Sequence, residues 1–188
     1  MVGVFYPKMS AAKRTAIFID GSNLYHKLKK LKIQKTSRFD YAGLCRYLAS
    51  GSQLAGIHYY VGVILASPHD PTAQRLQAKQ MILFNHLRDQ GIHLQRGFLM
   101  KSACSYHEKG VDVNIAVDML VGAYEDMYDK AILISSDTDL IPAIHKVRNL
   151  GKKVQYIGFI GQASFAMKNH ASFYTLLTKE EVSSFSLS

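Results

Sequence analysis

Short apolar runs alternate with helix-like segments along most of this chain, and this alternation limits the fold more than any other feature. Apolar runs predict five strands and a short sixth one, at 15–20, 58–65, 93–100, 130–136, 153–159 and 173–176. Apolar residues at helical spacing predict intervening helices at 23–32, 40–49, 71–90, 111–127, 140–150 and a short one after 163. Strands that alternate with helices are typical of a parallel sheet covered on both faces. The sequence therefore predicts an α/β fold.

The length of 188 residues suits one domain with a full hydrophobic core. We expect that domain at 13–178, after a loose lead-in of residues 1–12 and before a Ser-rich tail of residues 179–188. No apolar run is long enough for a signal peptide or a membrane span, so no membrane partner is expected. Two cysteines, Cys45 and Cys104, cannot form a disulfide scaffold, which makes a reducing cytoplasm the simplest compartment. A homo-oligomer is possible, but nothing indicates one.

Acidic residues follow the predicted strands. Asp20 ends the first strand, Asp137 and Asp139 follow the fourth, and Asp112 opens the helix after a polar turn at 101–110. Ligands of open α/β sheets bind outside the carboxyl ends of the strands. If the first and fourth strands are neighbours, the four carboxylates meet in one small volume and repel one another. A divalent cation relieves this repulsion, and the hard ions Mg²⁺ and Mn²⁺ prefer oxygen ligands.

Each acid alone also has a simpler interpretation. Asp20 before Gly21 can make a turn, and Asp137 or Asp139 can cap a helix. Asp118 lies six residues after Asp112 and on a different helical face, where it either supports the metal ligands or is a buried, hydrogen-bonded carboxylate. The joint placement of four acids is harder to explain by turns and caps.

The net charge gives this acidic cluster a context. Lys and Arg total 23 against 14 Asp and Glu, so the net charge is +9 and the pI is near 9.5. A basic surface attracts a polyanion, although the same excess can serve solubility alone. The acidic cluster itself repels a polyanion, so a metal ion must lie between the carboxylates and the polyanion for the two to make contact. Nucleases meet both requirements.

Three segments resemble, in family order, the motifs of NYN domains, which are relatives of the PIN-domain ribonucleases. The first is AIFIDGSNLY at 16–25, the second is KGVDVNIAVDML at 109–120 and the third is LISSDTDLIPAIHKVRNLGKKV at 133–154. The resemblance covers about residues 14–176 and favours the LabA-like branch. It implies a PIN-like three-layer α/β/α sandwich with a central parallel sheet. It also implies metal-dependent hydrolysis of RNA by an activated water, which leaves a 5′-phosphate and a 3′-hydroxyl.

The resemblance also assigns roles to residues. The catalytic, metal-binding acids that it implies for one or two Mg²⁺ or Mn²⁺ ions are Asp20, Asp112, Asp137 and Asp139. Positions beside these acids are assigned to substrate binding, namely Ser22, Asn23, Lys109 and Thr138. Asn23 would orient Asp20 or contact a phosphate, whereas Lys109 would contact a phosphate or be a solvated turn lysine. Asp118 and Ser136 are expected to support the acids, Ser136 replacing a common glycine of the family.

One departure from the family pattern keeps a second function open. The family often has an acid within an Ala-Asp-Phe-like step near the C-terminus, where this chain has Ala171-Ser172-Phe173. The alternative is therefore an RNA-binding or assembly module of the same fold, catalytically weak or inactive. Single-stranded RNA is the partner that the resemblance favours, and single-stranded DNA is not excluded.

Basic and aromatic residues suggest a path for that strand. The run at 26–38 is the densest basic stretch and either tracks phosphates or is a solvated helix face. Further candidate cations are Lys101, Lys152, Lys153 and Lys168. Tyr25 and Tyr106 either stack on unpaired bases or belong to the core.

Other classes of site lack their motifs. No Gly-x-Gly-x-x-Gly or Walker lysine loop occurs, which argues against a dinucleotide or ATP site. His93, Cys104 and His107 lack the paired spacing of a zinc site. A phosphotransfer enzyme would want a second acid two residues after Asp20, where Ser22 stands.

Overall fold

The structure is a computed structural model that describes residues 12–33, 36–102 and 105–186, with the backbone alone for Ser37, 98–102 and 105–108. Its seven strands are β1 (Arg14–Asp20), β2 (Gln53–Val63), β3 (His93–Ser102), β4 (Ser105–Lys109), β5 (Lys130–Ile134), β6 (Lys153–Phe159) and β7 (Phe173–Leu177). Its seven α-helices are α1 (Gly21–Lys30), α2 (Tyr41–Leu48), α3 (Pro71–Asp89), α4 (Val111–Tyr124), α5 (Ile141–Asn149), α6 (Phe165–His170) and α7 (Lys179–Ser183). Two 3-10 turns lie at Thr36–Arg38 and Thr138–Leu140.

All seven strands form one sheet in the order β4-β3-β2-β1-β5-β6-β7. Six strands are parallel, and β4 pairs antiparallel with β3 at one edge. The predicted α/β fold with a parallel sheet is thus confirmed. β4 was not predicted, because its sequence SYHEK is polar and reads as part of the turn expected at 101–110.

Helices cover both faces of the sheet. Ile17 and Ile19 of β1 pack into a core with α1, α2, α3 and α7, whereas Ala16 and Phe18 pack into a second core with α4, α5 and α6. A strand buried on both faces is a continuous apolar run rather than an alternating one, which is why β1, β5 and β6 were readily predicted. The expected three-layer α/β/α sandwich is confirmed.

The order of the strands reverses beside β1. The chain runs from β1 outwards through β2 and β3 to the edge strand β4, then crosses through α4 and continues outwards on the other side through β5, β6 and β7. β1 and β5 are in register, with Ile19 beside Ile134. The next residues along the chain, Asp20 at the end of β1 and Ser135 just after β5, are therefore neighbours at the carboxyl edge. Ligands of open α/β sheets bind at this kind of switch point.

Some boundaries differ from the sequence-based expectation. β2 begins at Gln53 rather than 58. Its first four residues alternate between exposed and partly buried, so they carry no strong apolar run that would have predicted this part of the strand. α4 is apolar on one side that faces solvent, since Val113, Val117 and Val121 are 64%, 48% and 43% exposed. No helix among the described residues has the length and apolar character that crossing a bilayer requires.

Residues 179–186 are not the loose tail that we expected. Thr178 and Glu181 form a capping box that begins α7, and Val182 is fully buried. The backbone N–H of Asp40 donates to the carbonyl of Phe185 at 2.8 Å. The sequence did not show this docking, because five helical residues with one buried apolar side chain carry no periodic pattern.

Candidate active site

Asp20 is the last residue of β1, and its carboxylate is fixed by hydrogen bonds on both oxygens. The residue is 5% exposed. Oδ1 accepts from the backbone N–H of Asn23 at 2.9 Å, which caps α1, and Oδ2 accepts from Ser135 Oγ at 2.8 Å. A carboxylate is buried at low cost only when it is hydrogen-bonded in this way. Asp20 is therefore held in one orientation at the switch point.

Gly21 allows α1 to begin directly after Asp20. A Cβ atom at this position would lie 2.4 Å from the Tyr59 ring and 2.7 Å from the carbonyl oxygen of Tyr60. Only glycine therefore lets the first turn of α1 approach β2 this closely. The close approach keeps the cap formed by Asp20 next to the carboxyl end of β2.

Ser135 connects the two loops that carry acids. It follows β5 and is 1% exposed. Its hydroxyl donates to Asp20 and accepts from the backbone N–H of Asp137 at 3.1 Å. The sequence analysis missed this residue and chose Ser136, whose Oγ lies instead 3.1 Å from the hydroxyl of Tyr156. Ser136 thus contacts β6 rather than the acids.

Asp137 and Asp139 occupy different surroundings. Asp137 is partly buried and begins the 3-10 turn, where its Oδ1 accepts from the backbone N–H of Asp139 at 2.9 Å. The side chains of Thr138 and Asp139 are exposed. The turn therefore directs Asp137 inward and leaves the next two residues at the surface.

Asp112 reaches the same edge from α4. Gly110 has a φ of 83°, which turns the chain out of β4 into the helix. Val111 is then buried, and Asp112 lies partly buried in the first turn of α4, where the helix dipole favours an anion. A third segment thus supplies a carboxylate to the carboxyl edge of the sheet.

Three of these acids line one cavity of about 240 Å³. Its lining contains Asp20, Asp112 and Asp137, together with Ser22, Asn23, His26 and Val111. Asp139, Thr138 and Lys109 were expected at the site and do not line this cavity; all three are exposed. His26 was not singled out from the sequence, because a lone histidine within a basic run gives no sign of its direction.

The donor chemistry of this cavity fits a hydrated divalent cation. Among the described residues, no group of three or more Asp, Glu, His or Cys side chains is arranged to hold a metal ion directly. Mg²⁺ commonly binds through one or two carboxylates and keeps several waters. A volume of 240 Å³ accommodates such an ion, since a water occupies about 30 Å³. Direct ligation by all three acids would require their side chains to rotate towards one another.

Asp118 contacts the sheet rather than the acids. It accepts a hydrogen bond from the hydroxyl of Tyr60 at 2.7 Å. Burial, with this hydrogen bond to Asp118 as a further cause, raises the pKa of Tyr60. Of the two roles that the sequence left open, the structure shows a hydrogen-bonded carboxylate that anchors α4 on β2.

The lysines that the sequence suggested as phosphate-binding cations differ in their exposure and in their contacts. Lys27 donates to the carbonyl of Gln162 at 2.6 Å, and burial lowers its pKa, as does the nearby Lys30. Lys29 and Lys30 are exposed in the last turn of α1. Lys168 lies 5.6 Å from the ring centroids of Phe165 and Tyr174. The side chains of Lys101 and Tyr106 lie outside the described residues, as does Cys104.

Ser172 and two further lysines lie at the amino ends of the strands, whereas the acidic cavity lies at the carboxyl ends. Ser172 precedes β7, and its Oγ accepts from the backbone N–H of Val154 near the start of β6 at 3.0 Å. Lys152 and Lys153 lie beside it at the amino end of β6, and Lys152 is paired with Asp126. An acid in place of Ser172 would not line the acidic cavity. Its absence therefore removes nothing from that cavity.

Comparison with known proteins identifies the family of this chain. No curated protein matches the chain. A crystal structure of a Vibrio parahaemolyticus protein of unknown function is similar in fold, with a TM-score of 0.68 and 21% identity over 91% of this chain and 96% of the other. The family model of the NYN domain matches residues 14–177. The chain therefore belongs to the NYN domain family, whose members are generally nucleases.

Proposed function

We propose that this protein is a metal-dependent endoribonuclease that hydrolyses phosphodiesters of single-stranded RNA at the cavity lined by Asp20, Asp112 and Asp137. The observation that carries the proposal is that three separate segments place carboxylates on one cavity, at the switch point of a protein with net charge +9. Family membership supports a nuclease, and the motifs in this sequence favour the LabA-like branch of the family.

The side chains of the cavity would have separate roles in binding the metal ion and in orienting its ligands. Asp20, Asp112 and Asp137 would hold Mg²⁺ or Mn²⁺. When bound, the cation supplies positive charge that acidifies water and stabilises the charge on the phosphate oxygens. Ser135 and the backbone N–H of Asn23 keep Asp20 oriented for this role. No side-chain nucleophile is required.

Residues at the rim would position the substrate. Ser22 and the Asn23 amide line the cavity and can donate to phosphate oxygens. Lys109 and Thr138 are exposed next to residues of the site, so they would contact flanking phosphates rather than the reacting phosphate. Asp139, exposed two residues after Asp137, would support the metal ion through a water. The exposed cations Lys29 and Lys30 would attract the strand. Cys45 is a free, buried thiol, which is compatible with the reducing cytoplasm where RNA is met.

Cleavage of end-labelled single-stranded RNA by the purified full chain tests this proposal. We expect cutting with Mg²⁺ or Mn²⁺, none with EDTA, and products with 5′-phosphate ends. Asp137→Asn should abolish cutting, because it removes the charge of a cavity carboxylate. Asp89→Asn is the matched control, since Asp89 is an exposed aspartate at the end of α3.

The same assay separates the competing functions. Cutting in EDTA, or equal cutting by wild type and Asp137→Asn, would refute the proposed site. Binding of RNA without cutting would support the binding module instead. A parallel single-stranded DNA of the same sequence decides the substrate, because only RNA offers the 2′-hydroxyl for discrimination.

A further inference from the structure

A second and larger cavity lies beside the acidic one. Its volume is about 590 Å³, within the range of small-molecule sites. It is formed by α1, α3 and the carboxyl end of β2, and it shares Ser22 and His26 with the acidic cavity. A group bound there would therefore be next to a substrate phosphate at Asp20.

Hydrogen bonds from α3 fix the wall of this cavity. The Gln80 side chain accepts from the backbone N–H of Ile64 at 2.9 Å and donates to the carbonyl of Gly62 at 2.7 Å. Gln77 donates to the carbonyl of Ile64 at 3.0 Å. These bonds tie α3 to the segment that leaves β2. The cavity is therefore formed in advance of any ligand.

Tyr25 gives this cavity an exposed aromatic ring. Tyr25 is 44% exposed, whereas five other tyrosines are at most 1% exposed in the core, namely Tyr41, Tyr59, Tyr60, Tyr128 and Tyr156. The Tyr25 ring meets the His26 ring edge-on, with centroids 5.5 Å apart and planes at 70°. With 44% of the residue exposed, the Tyr25 ring keeps surface open to the cavity, and bases stack on aromatic rings of this kind.

The opposite side of the cavity combines apolar surface with one cation. Leu76 and Ile82 of α3 are 41% and 59% exposed in its lining. Lys79 of the same helix is exposed and makes no ion pair with a described residue. A flat apolar ligand that carries a phosphate would match this combination of ring, apolar wall and ammonium group.

We propose that this cavity binds one base of a single-stranded nucleic acid, that of the nucleotide beside the phosphodiester held over Asp20. The base stacks on Tyr25 and packs against Leu76 and Ile82, and Lys79 contacts the phosphate of the same nucleotide. This inference rests on the proposed function for the position of the strand.

Equilibrium binding in EDTA tests the base pocket without cleavage. The probes are a fluorescently labelled single-stranded RNA and the same strand in which every nucleotide is abasic. Tyr25→Ala should raise the Kd for the normal strand about fivefold or more, and leave the Kd for the abasic strand unchanged. Tyr25→Phe should bind like wild type, since it keeps the ring. Tyr124→Ala is the matched control, because Tyr124 is 60% exposed at the far end of α4.

Lys79→Ala provides a second measurement that does not depend on Tyr25. It should weaken binding of both strands, since it removes a phosphate contact, whereas Lys146→Ala on the exposed side of α5 should not. Equal losses for Tyr25→Ala on both strands, no loss on either, or no binding of the normal strand by wild type would each overturn the base pocket. Binding that follows the prediction in a protein that does not cut RNA would instead overturn the nuclease and leave the base pocket standing.

Discussion

The hydroxyl of Ser135 sets the spacing of two proposed metal ligands, because it donates to Asp20 and accepts from the backbone of Asp137. Ser135→Ala leaves both partners in place but removes this link. We expect RNA cleavage to fall about 10- to 100-fold, the range typical for partners of metal ligands. Single-turnover rates at saturating Mn²⁺ would measure the loss.

Ser136→Ala is the matched control for that variant. Ser136 is the adjacent serine, and its Oγ contacts Tyr156 instead of an acid. Its rate should stay close to that of wild type. Equal losses in the two variants would show that Ser135 has no special role in orienting the acids.

His58 predicts a dependence of stability on pH. Its ring stacks on Phe18 and His93, with centroids 5.5 and 5.3 Å apart. Its Nδ1 is buried without a hydrogen bond to a described residue. Burial lowers the pKa of His58 below its ordinary value of 6.5; His93 lowers it further, whereas Asp118 opposes the shift.

The sign of this effect follows from linkage. The unfolded chain takes up a proton at His58 as the pH falls through 6.5, while the folded chain resists it, so stability is lost below that pH. His58→Phe keeps a stacking ring and removes the titration. The free energy of unfolding in urea should therefore fall less between about pH 7.5 and 5.5 in the variant. An equal fall in both proteins would contradict this account.

The sequence predicted some residues of the candidate site and missed others, and the reason is geometric. Asp20, Asp112 and Asp137 were found because a strand end or a helix start fixes where a residue lies in a parallel sheet. Ser135, His26 and the pocket beside Tyr25 were missed. Their roles depend on side-chain direction and on how α1 packs against α3, which residue spacing does not give.

Elements were predicted where burial leaves a strong pattern. β1, β5 and β6 are apolar on both faces, so their runs stand out in the sequence. β4 and α7 lack such runs, because β4 is a polar edge strand and α7 buries one side chain, Val182. Such edge and terminal elements are stabilised mainly by contacts with neighbouring elements, so their own sequences carry little sign of them.

Val182→Ala tests whether α7 is part of the domain. Val182 is fully buried in the core shared by α1, α2 and α3, so truncation should lower the free energy of unfolding by about 1–2 kcal/mol. Urea denaturation measures the change. Lys179→Ala is an exposed control in the same helix and should have little effect. A variant at position 182 as stable as wild type would mean that α7 is loosely attached.

The chain combines a net charge of +9 with an acidic cavity. Binding of single-stranded RNA should release counterions, with a slope of about −0.7 per phosphate contact in log affinity against log salt. For about four contacts, the Kd should rise roughly 50-fold from 50 to 200 mM salt. Tyr25→Ala should raise the Kd by the same factor at both salt concentrations, since stacking releases no counterions. A Kd independent of salt would contradict a phosphate-directed surface.

The fold alone leaves the function undecided, since the similar Vibrio structure is itself of unknown function. The function depends on the cavity, where we propose that Asp20, Asp112 and Asp137 form one metal site. Only the chemistry of that cavity distinguishes a nuclease from a binding module of the same architecture.

Titration calorimetry of Mn²⁺ into the full chain, without RNA, tests that claim most directly. We predict Mn²⁺ binding in wild type and in Asp89→Asn, and affinity lowered about tenfold or more in both Asp112→Asn and Asp137→Asn, since each variant loses a proposed ligand. Equal affinity in all four proteins, or no binding in wild type, would contradict it.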